Sequence, residues 1–97
     1  MIKFSWENAK RDKVLADHGV DFDKIADVFF DPLALEFIAV EHSADDEVRF
    51  AIIGLTAQYG LIYAVYVTPN DHEIRFVTSR KAEPLMVKEY DKERGRS

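Results

Sequence analysis

The stretch VRFAIIGLTAQYGLIYAVYVTPNDHEIRFVT, residues 48–78, decides the fold. It contains three apolar runs, 48–55, 61–67 and 73–78, rich in the β-branched and aromatic residues that suit a pleated, half-buried surface. Each gap between them is turn chemistry: Gln58-Tyr59-Gly60 closes the first, Pro69-Asn70-Asp71 the second. Gaps this short join antiparallel neighbours. The middle run, LIYAVYV, is apolar throughout and rich in strand formers, which predicts the central strand. In the third run, two-residue alternation puts Ile74 and Phe76 on one face and Arg75 and Val77 on the other.

Working outward, residues 33–40 alternate loosely and predict one more strand, with Ser43-Ala44-Asp45-Asp46 turning the chain towards residue 48. At the start, Ile2, Phe4 and Trp6 alternate with Lys3 and Ser5, a short strand over 1–6. Residues 7–17 hold no glycine or proline and carry Ala9, Lys10, Lys13, Val14 and Asp17 at helical spacing. Gly19 ends that helix, because glycine accepts the left-handed conformation just past a helix end. Asp21 caps a second helix, Val20 and Ile25 are spaced as a hydrophobic staple, and Phe22, Ile25, Ala26 and Phe29 form its buried stripe. Asp31-Pro32 stops it, since the residue before proline avoids the helical region. Residues 82–93 form a last helix with Pro84 in its first turn. The resulting expectation is an α+β domain: an antiparallel meander with an N-terminal strand, two N-terminal helices and a C-terminal helix, the helices packed on one face.

Ninety-seven residues, 47% of them apolar, make one domain with one modest core over 1–97. There is no cysteine, which excludes disulfides, zinc–thiolate sites and cysteine nucleophiles. No signal peptide and no apolar run of membrane-spanning length is legible, so the expected location is cytoplasmic. The formal charge of −5 argues against a nucleic-acid binder on average, but the cations are segregated. Lys3, Lys10, Arg11 and Lys13 mark one end, Lys88, Lys92, Arg94 and Arg96 the other, and the acids cluster between.

The histidines lack the spacing of paired metal ligands on one helix face; a metal site on His42, Asp45 and Asp46 is an outsider. His18 closes the first helix, where a cationic imidazole interacts favourably with the helix dipole, and it titrates in the range useful for acid–base work. Arg49, Arg75 and Arg80 lie in or beside strands that run together, so their guanidiniums can share a sheet face. Such a cluster suits a phosphate, and equally suits ion pairs with Glu36, Glu41, Glu47 and Glu73. Ser79 has no legible base or oxyanion site, and the four glycines form no phosphate loop.

The stretches FSWENAK (4–10), HGVDFDKIADVFFDPLAL (18–35), EHSADDEVRFAIIG (41–54), VYVTPNDHEIRFVTSRKA (65–82) and EY (89–90) resemble, in order and spacing, the BrnT toxins of bacterial type II toxin–antitoxin pairs. The resemblance implies a RelE-like fold and RNA cleavage that halts translation, without a metal or other cofactor. It also implies an antitoxin partner, BrnA, whose ribbon-helix-helix part binds operator DNA while another part occupies the toxin. Carried over by position, it implies His18 as acid–base group, Arg49 and Arg80 as catalytic phosphate and transition-state contacts, and Arg75 as a weaker phosphate contact; Lys10 and Lys81 are further candidate RNA-binding cations.

The chain departs from that pattern at Asp17, Leu55, Glu83 and Met86, each a loss of positive charge or of a polar group from the expected RNA side. Two readings therefore stand: a metal-independent ribonuclease toxin, or a catalytically weak homologue that binds the antitoxin and acts as co-repressor. Arginines free of carboxylate partners favour the first; arginines neutralised by Glu36, Glu73 or Asp17 favour the second.

Overall fold

The computed structural model of the chain describes residues 1–40 and 47–94. In chain order these form β1 (Lys3–Ser5), α1 (Asn8–His18), two short 3-10 helices (Phe22–Lys24 and Ala26–Phe30), β2 (Leu35–Ile38), β3 (Phe50–Thr56), β4 (Gly60–Asn70), β5 (Glu73–Lys81) and α2 (Pro84–Arg94). The turn expected at 43–46 and the outsider metal group His42, Asp45 and Asp46 lie outside the described residues.

The runs of 48–78 pair as their turns dictate. β2, β3, β4 and β5 make an antiparallel meander with β4 inside it. The sheet is not wholly antiparallel, however. β1 joins the far side of β5 as a parallel neighbour, Lys3 level with Glu73 and Ser5 with Arg75, giving the order β1-β5-β4-β3-β2. A parallel pair needs a long connection, and here the rest of the sheet and the N-terminal helices supply it.

Alternation sorts the strand residues onto two faces. On one, Ile52, Ile62, Ala64, Tyr66 and Phe76 pack against Val14 of α1 and against Val20, Phe22, Ile25 and Val28. Phe76 sits among aromatic rings, with Phe22 and Phe4 at centroid distances of 5.5 and 5.8 Å. The second face buries Ala39, Ala51 and Val65, with Tyr63 and Val77 at its rim.

The second helix is not an α-helix. Phe22, Ile25 and Val28 are fully buried and stand three apart. A repeat of three matches the 3-10 helix, in which residues i and i+3 eclipse. Ile25, at φ −121° and ψ 2°, separates the two pieces, and Ala26 and Phe29 are only half-buried. Asp21 does cap, its Oδ1 accepting the Asp23 N–H at 3.1 Å. Nor do the helices share one face: Met86 of α2 lines a groove with Ile53 and Tyr63 of the second face.

Gly54 marks where β3 and the second 3-10 helix come closest. A Cβ there would lie 2.8 Å from Val28 Cγ2 and 3.0 Å from the Ala34 Cβ, so the approach needs a residue without one. Just beyond, β3 outruns β2, whose first residue pairs with Ile53. Two carboxylates take over from the missing strand: Asp31 Oδ2 accepts the Leu55 N–H at 2.9 Å and Asp27 Oδ2 the Ala57 N–H at 2.8 Å. Asp31 also accepts the Leu33 N–H at 2.9 Å and the Tyr90 hydroxyl at 2.7 Å, which ties α2 to the domain.

Burial pushes the Asp31 carboxyl up, but the N–H groups of Leu55 and Leu33 and the Tyr90 hydroxyl outweigh it and hold the group below its ordinary value. The ionised form is therefore favoured by folding. Its contribution is complete above the ordinary carboxylate value, about 4, and fades as pH falls through the folded value. Thermal melts across this range are expected to show Asp31→Asn less stable than the parent at neutral pH, with the gap narrowing below about pH 4. A gap that stays constant with pH would remove the ionised carboxylate from the account.

Candidate functional site

β4 and β5 carry Tyr63 and Arg80 to opposite positions on adjacent strands, and Val65 and Thr78 likewise. Between the Tyr66–Phe76 and Val65–Thr78 pairs the register slips by one, leaving Val77 as an extra residue. This bulge has a consequence for charge. Arg75 and Arg80 are five positions apart, which strict alternation would place on opposite faces. The bulge returns both to the second face, Arg75 level with Val67 and Arg80 with Tyr63.

His18 reaches the same place from the other side. It is the last residue of α1, and Gly19, at φ 69°, turns the chain immediately after it while its N–H bonds the Leu15 carbonyl. His18, Tyr63, Thr78 and Arg80 enclose a pocket of about 180 Å³. The Arg80 guanidinium lies over the Tyr63 ring, 5.4 Å from its centroid. Its Nη1 is 3.0 Å from Glu83 Oε1, an exposed carboxylate at the approach to α2. Its Nε is buried with no hydrogen-bond acceptor among the described residues. The Ser79 hydroxyl, next to it in sequence, points away and donates to the Tyr63 carbonyl, so Ser79 is structural.

A basic ridge adjoins the pocket. Lys10, Lys13, Asp17 and His18 of α1 form one wall of a second depression, with Val77 and Thr78 opposite. Asp17, a departure that would repel phosphate, is paired with Lys13 at 3.0 Å.

The other expected cations stand elsewhere. Arg75 lies about 16 Å along β5 from Arg80, at 3.3 Å per residue. It lines a groove with Glu47, Phe50, Val67 and Pro69. Its Nη2 contacts Glu73 at 3.1 Å and its Nε faces the Ser5 hydroxyl at 3.4 Å. Glu73 is itself held by Ser5, Asn70 and Arg75. The Ser5 hydroxyl contributes most, and together these bonds keep its carboxyl below the ordinary value. Arg49, just before β3, pairs with Glu47 at 3.3 Å. Lys81 is exposed and follows Arg80 in β5, so it projects from the opposite side of the strand. The structure thus brings His18 and Arg80 together with Lys10 nearby, and separates them from Arg75 and Lys81.

Tyr63 and Thr78 are the pocket residues that pattern reasoning passed over. Tyr63 was hidden in a run read as wholly apolar; a hydroxyl-bearing ring opposite an arginine was the available signal. Among the described residues, no group of three His, Asp or Glu side chains is placed to hold a metal ion. Among them too, no helix is long and apolar enough to cross a membrane.

The family model described as "Ribonuclease toxin, BrnT, of type II toxin-antitoxin system" matches residues 6–85. The chain belongs to the BrnT family. The 1.1 Å crystal structure of the Brucella abortus ribonuclease toxin BrnT is similar to it, with a TM-score of 0.68 over 86% of this chain and 99% of that one. Identity is 23%, so this likeness establishes the shared α+β fold and nothing finer. No curated protein sequence matches the chain. BrnT membership makes the chain a toxin component of a type II toxin–antitoxin system, which implies an antitoxin partner.

Proposed function

We propose that the chain is a ribonuclease toxin whose RNA site is the pocket of His18, Tyr63, Thr78 and Arg80. The observation that carries this reading is the state of Arg80. Its guanidinium is oriented by the Tyr63 ring, shares a pocket with His18, and is paired with an exposed carboxylate that a phosphate can displace. A phosphodiester can engage the exposed part of the guanidinium, whose fork of donors matches two phosphate oxygens.

In the proposed reaction the RNA's own 2′-oxygen attacks the adjacent phosphorus, the P–O5′ bond breaks, and a 2′,3′-cyclic phosphate and a 5′-hydroxyl result. One proton leaves the 2′-hydroxyl and one arrives on O5′. His18 is the neighbouring imidazole that acts as the proton-transfer group, and Arg80 stabilises the charge spread over the phosphoryl oxygens. The route is metal-independent. A BrnA-like ribbon-helix-helix antitoxin neutralises the toxin, and operator DNA is reached only through it. The site of action is the cytoplasm, where the RNA is.

The second reading, an antitoxin-binding module and co-repressor, is favoured by a specific observation: Arg49, Arg75 and Arg80 each contact a carboxylate. The three pairs differ. Glu73 is only 13% exposed and has several donors, so Arg75 is committed to structure. Glu83 is 55% exposed, and a pair of that kind is worth about 0–1 kcal/mol, so it yields to a phosphate. Arg80 therefore supports the enzyme where Arg75 does not.

The test is RNA cleavage by the purified protein in excess EDTA. Cleavage is expected, with His18→Ala lowering kcat by about 10²-fold or more. No cleavage by the folded parent, on free RNA or in a translating extract, would transfer the reading to the binding module.

A further inference from the structure

We propose that Glu83 is a built-in competitor for the RNA phosphate, a carboxylate that occupies Arg80 in the free toxin and must leave before RNA can bind. The inference rests on the reading of the Arg80 pocket given above.

Glu83 satisfies the guanidinium only in part. Oε1 reaches Nη1 at 3.0 Å, while Nε, turned away from it, is buried with no acceptor among the described residues. A phosphate presents two oxygens to a guanidinium fork, so the exchange of carboxylate for phosphate restores the ion pair in a two-point form.

Glu83 is also built to be displaced. Its backbone is fixed, because its carbonyl accepts the Val87 N–H at 3.0 Å in the first turn of α2. That turn is continuous with a helix anchored by the bond from the Tyr90 hydroxyl to Asp31. The side chain, by contrast, is more than half exposed and can swing into water by rotation about its own bonds. Displacement needs no movement of α2. Arg80 meanwhile keeps its place over Tyr63. The carboxylate is thus held at a fixed distance from the guanidinium, close enough to compete and free enough to lose. Its effect is to weaken every ligand that binds through Arg80, without contributing to the chemistry.

The experiment measures binding of a 2′-O-methyl oligoribonucleotide, which cannot be cleaved, to the full chain. The proteins are the parent, Glu83→Gln, Glu83→Ala, Arg80→Ala and the Glu83→Gln/Arg80→Ala double variant, each checked for folding by thermal melt. Both Glu83 variants are expected to bind about two- to fivefold more tightly than the parent, the size that an exposed ion pair accounts for. The double variant is expected to bind as weakly as Arg80→Ala alone, because the gain passes through Arg80. Unchanged or weaker binding in both Glu83 variants would overturn the proposal and make Glu83 a support for Arg80. A gain that persists in the double variant would also overturn it, leaving only general charge repulsion. Arg80→Ala binding as tightly as the parent is a different failure, that of the site itself.

Discussion

Arg80→Ala is expected to lower kcat/KM for RNA cleavage by about 10²- to 10³-fold, the size seen when one preorganised donor to a developing oxyanion is removed. The guanidinium is placed before substrate arrives, by the register that sets Arg80 opposite Tyr63 and by the ring beneath it. Because the same guanidinium also holds the phosphate before reaction, its loss falls on both kcat and KM. Stability should change by no more than about 1 kcal/mol, because the side chain is 41% exposed and its ion pair is of the weak surface kind. Single-turnover cleavage beside thermal melts separates the two effects. Lys81→Ala is the matched control: the neighbouring cation is removed from the other side of the strand, and less than about threefold is expected. Cleavage by Arg80→Ala at the parent rate would move the site to the groove lined by Arg75.

Phe76→Ala is expected to destabilise the fold by about 3–5 kcal/mol, a large share of the roughly 5–15 kcal/mol that holds a domain of this size. Phe76 is 1% exposed. Its ring meets Phe4 from β1, Phe22 from the first 3-10 helix and Phe29 from the second, the last at 6.1 Å. Truncation opens a cavity that three separate segments would have to move to fill, and their backbones are held by other bonds. Urea unfolding followed by tryptophan fluorescence measures the loss, since Trp6 packs against Phe22 with ring centroids 6.2 Å apart. A change below about 1.5 kcal/mol would mean that the core closes over the gap and that these rings are not its centre.

The meander was legible because its signals are local. Turn residues and alternation act over four or five positions, and Gly19 ends α1 as its backbone freedom predicts. What the sequence hid depends on partners distant in the chain. Nothing in residues 1–6 says that β1 will lie parallel to β5, because that pairing is decided by where α1 and the 3-10 helices return the chain. The residues 22–30 carry apolar side chains at spacings compatible with either helix type; burial of Phe22, Ile25 and Val28 on one line selects the tighter winding. Simple alternation also separates Arg75 from Arg80, and only the extra residue at Val77 reunites their faces. The site divides in the same way. His18 and Arg80 were reachable through resemblance, but the companionship of Tyr63 and Thr78 follows from cross-strand register, and the carboxylate on Arg80 from where α2 begins.

Asp27 and Asp31 have one more consequence, for the behaviour of many copies at once. A toxin must persist folded at whatever concentration the cell accumulates, and an uncovered strand edge is the usual seed of self-association. β3 is seven residues long and β2 covers it only as far as Ile53. The N–H groups left over, at Leu55 and Ala57, would otherwise be a template for a strand from another molecule. Two negatively charged side chains already hold them. An incoming strand would have to evict both carboxylates and bring its own backbone alongside their charge. The overhang of the sheet is thereby closed to growth without an added strand, by residues whose sequence signature is no more than two acids four positions apart, one inside a short helical turn and one just after it.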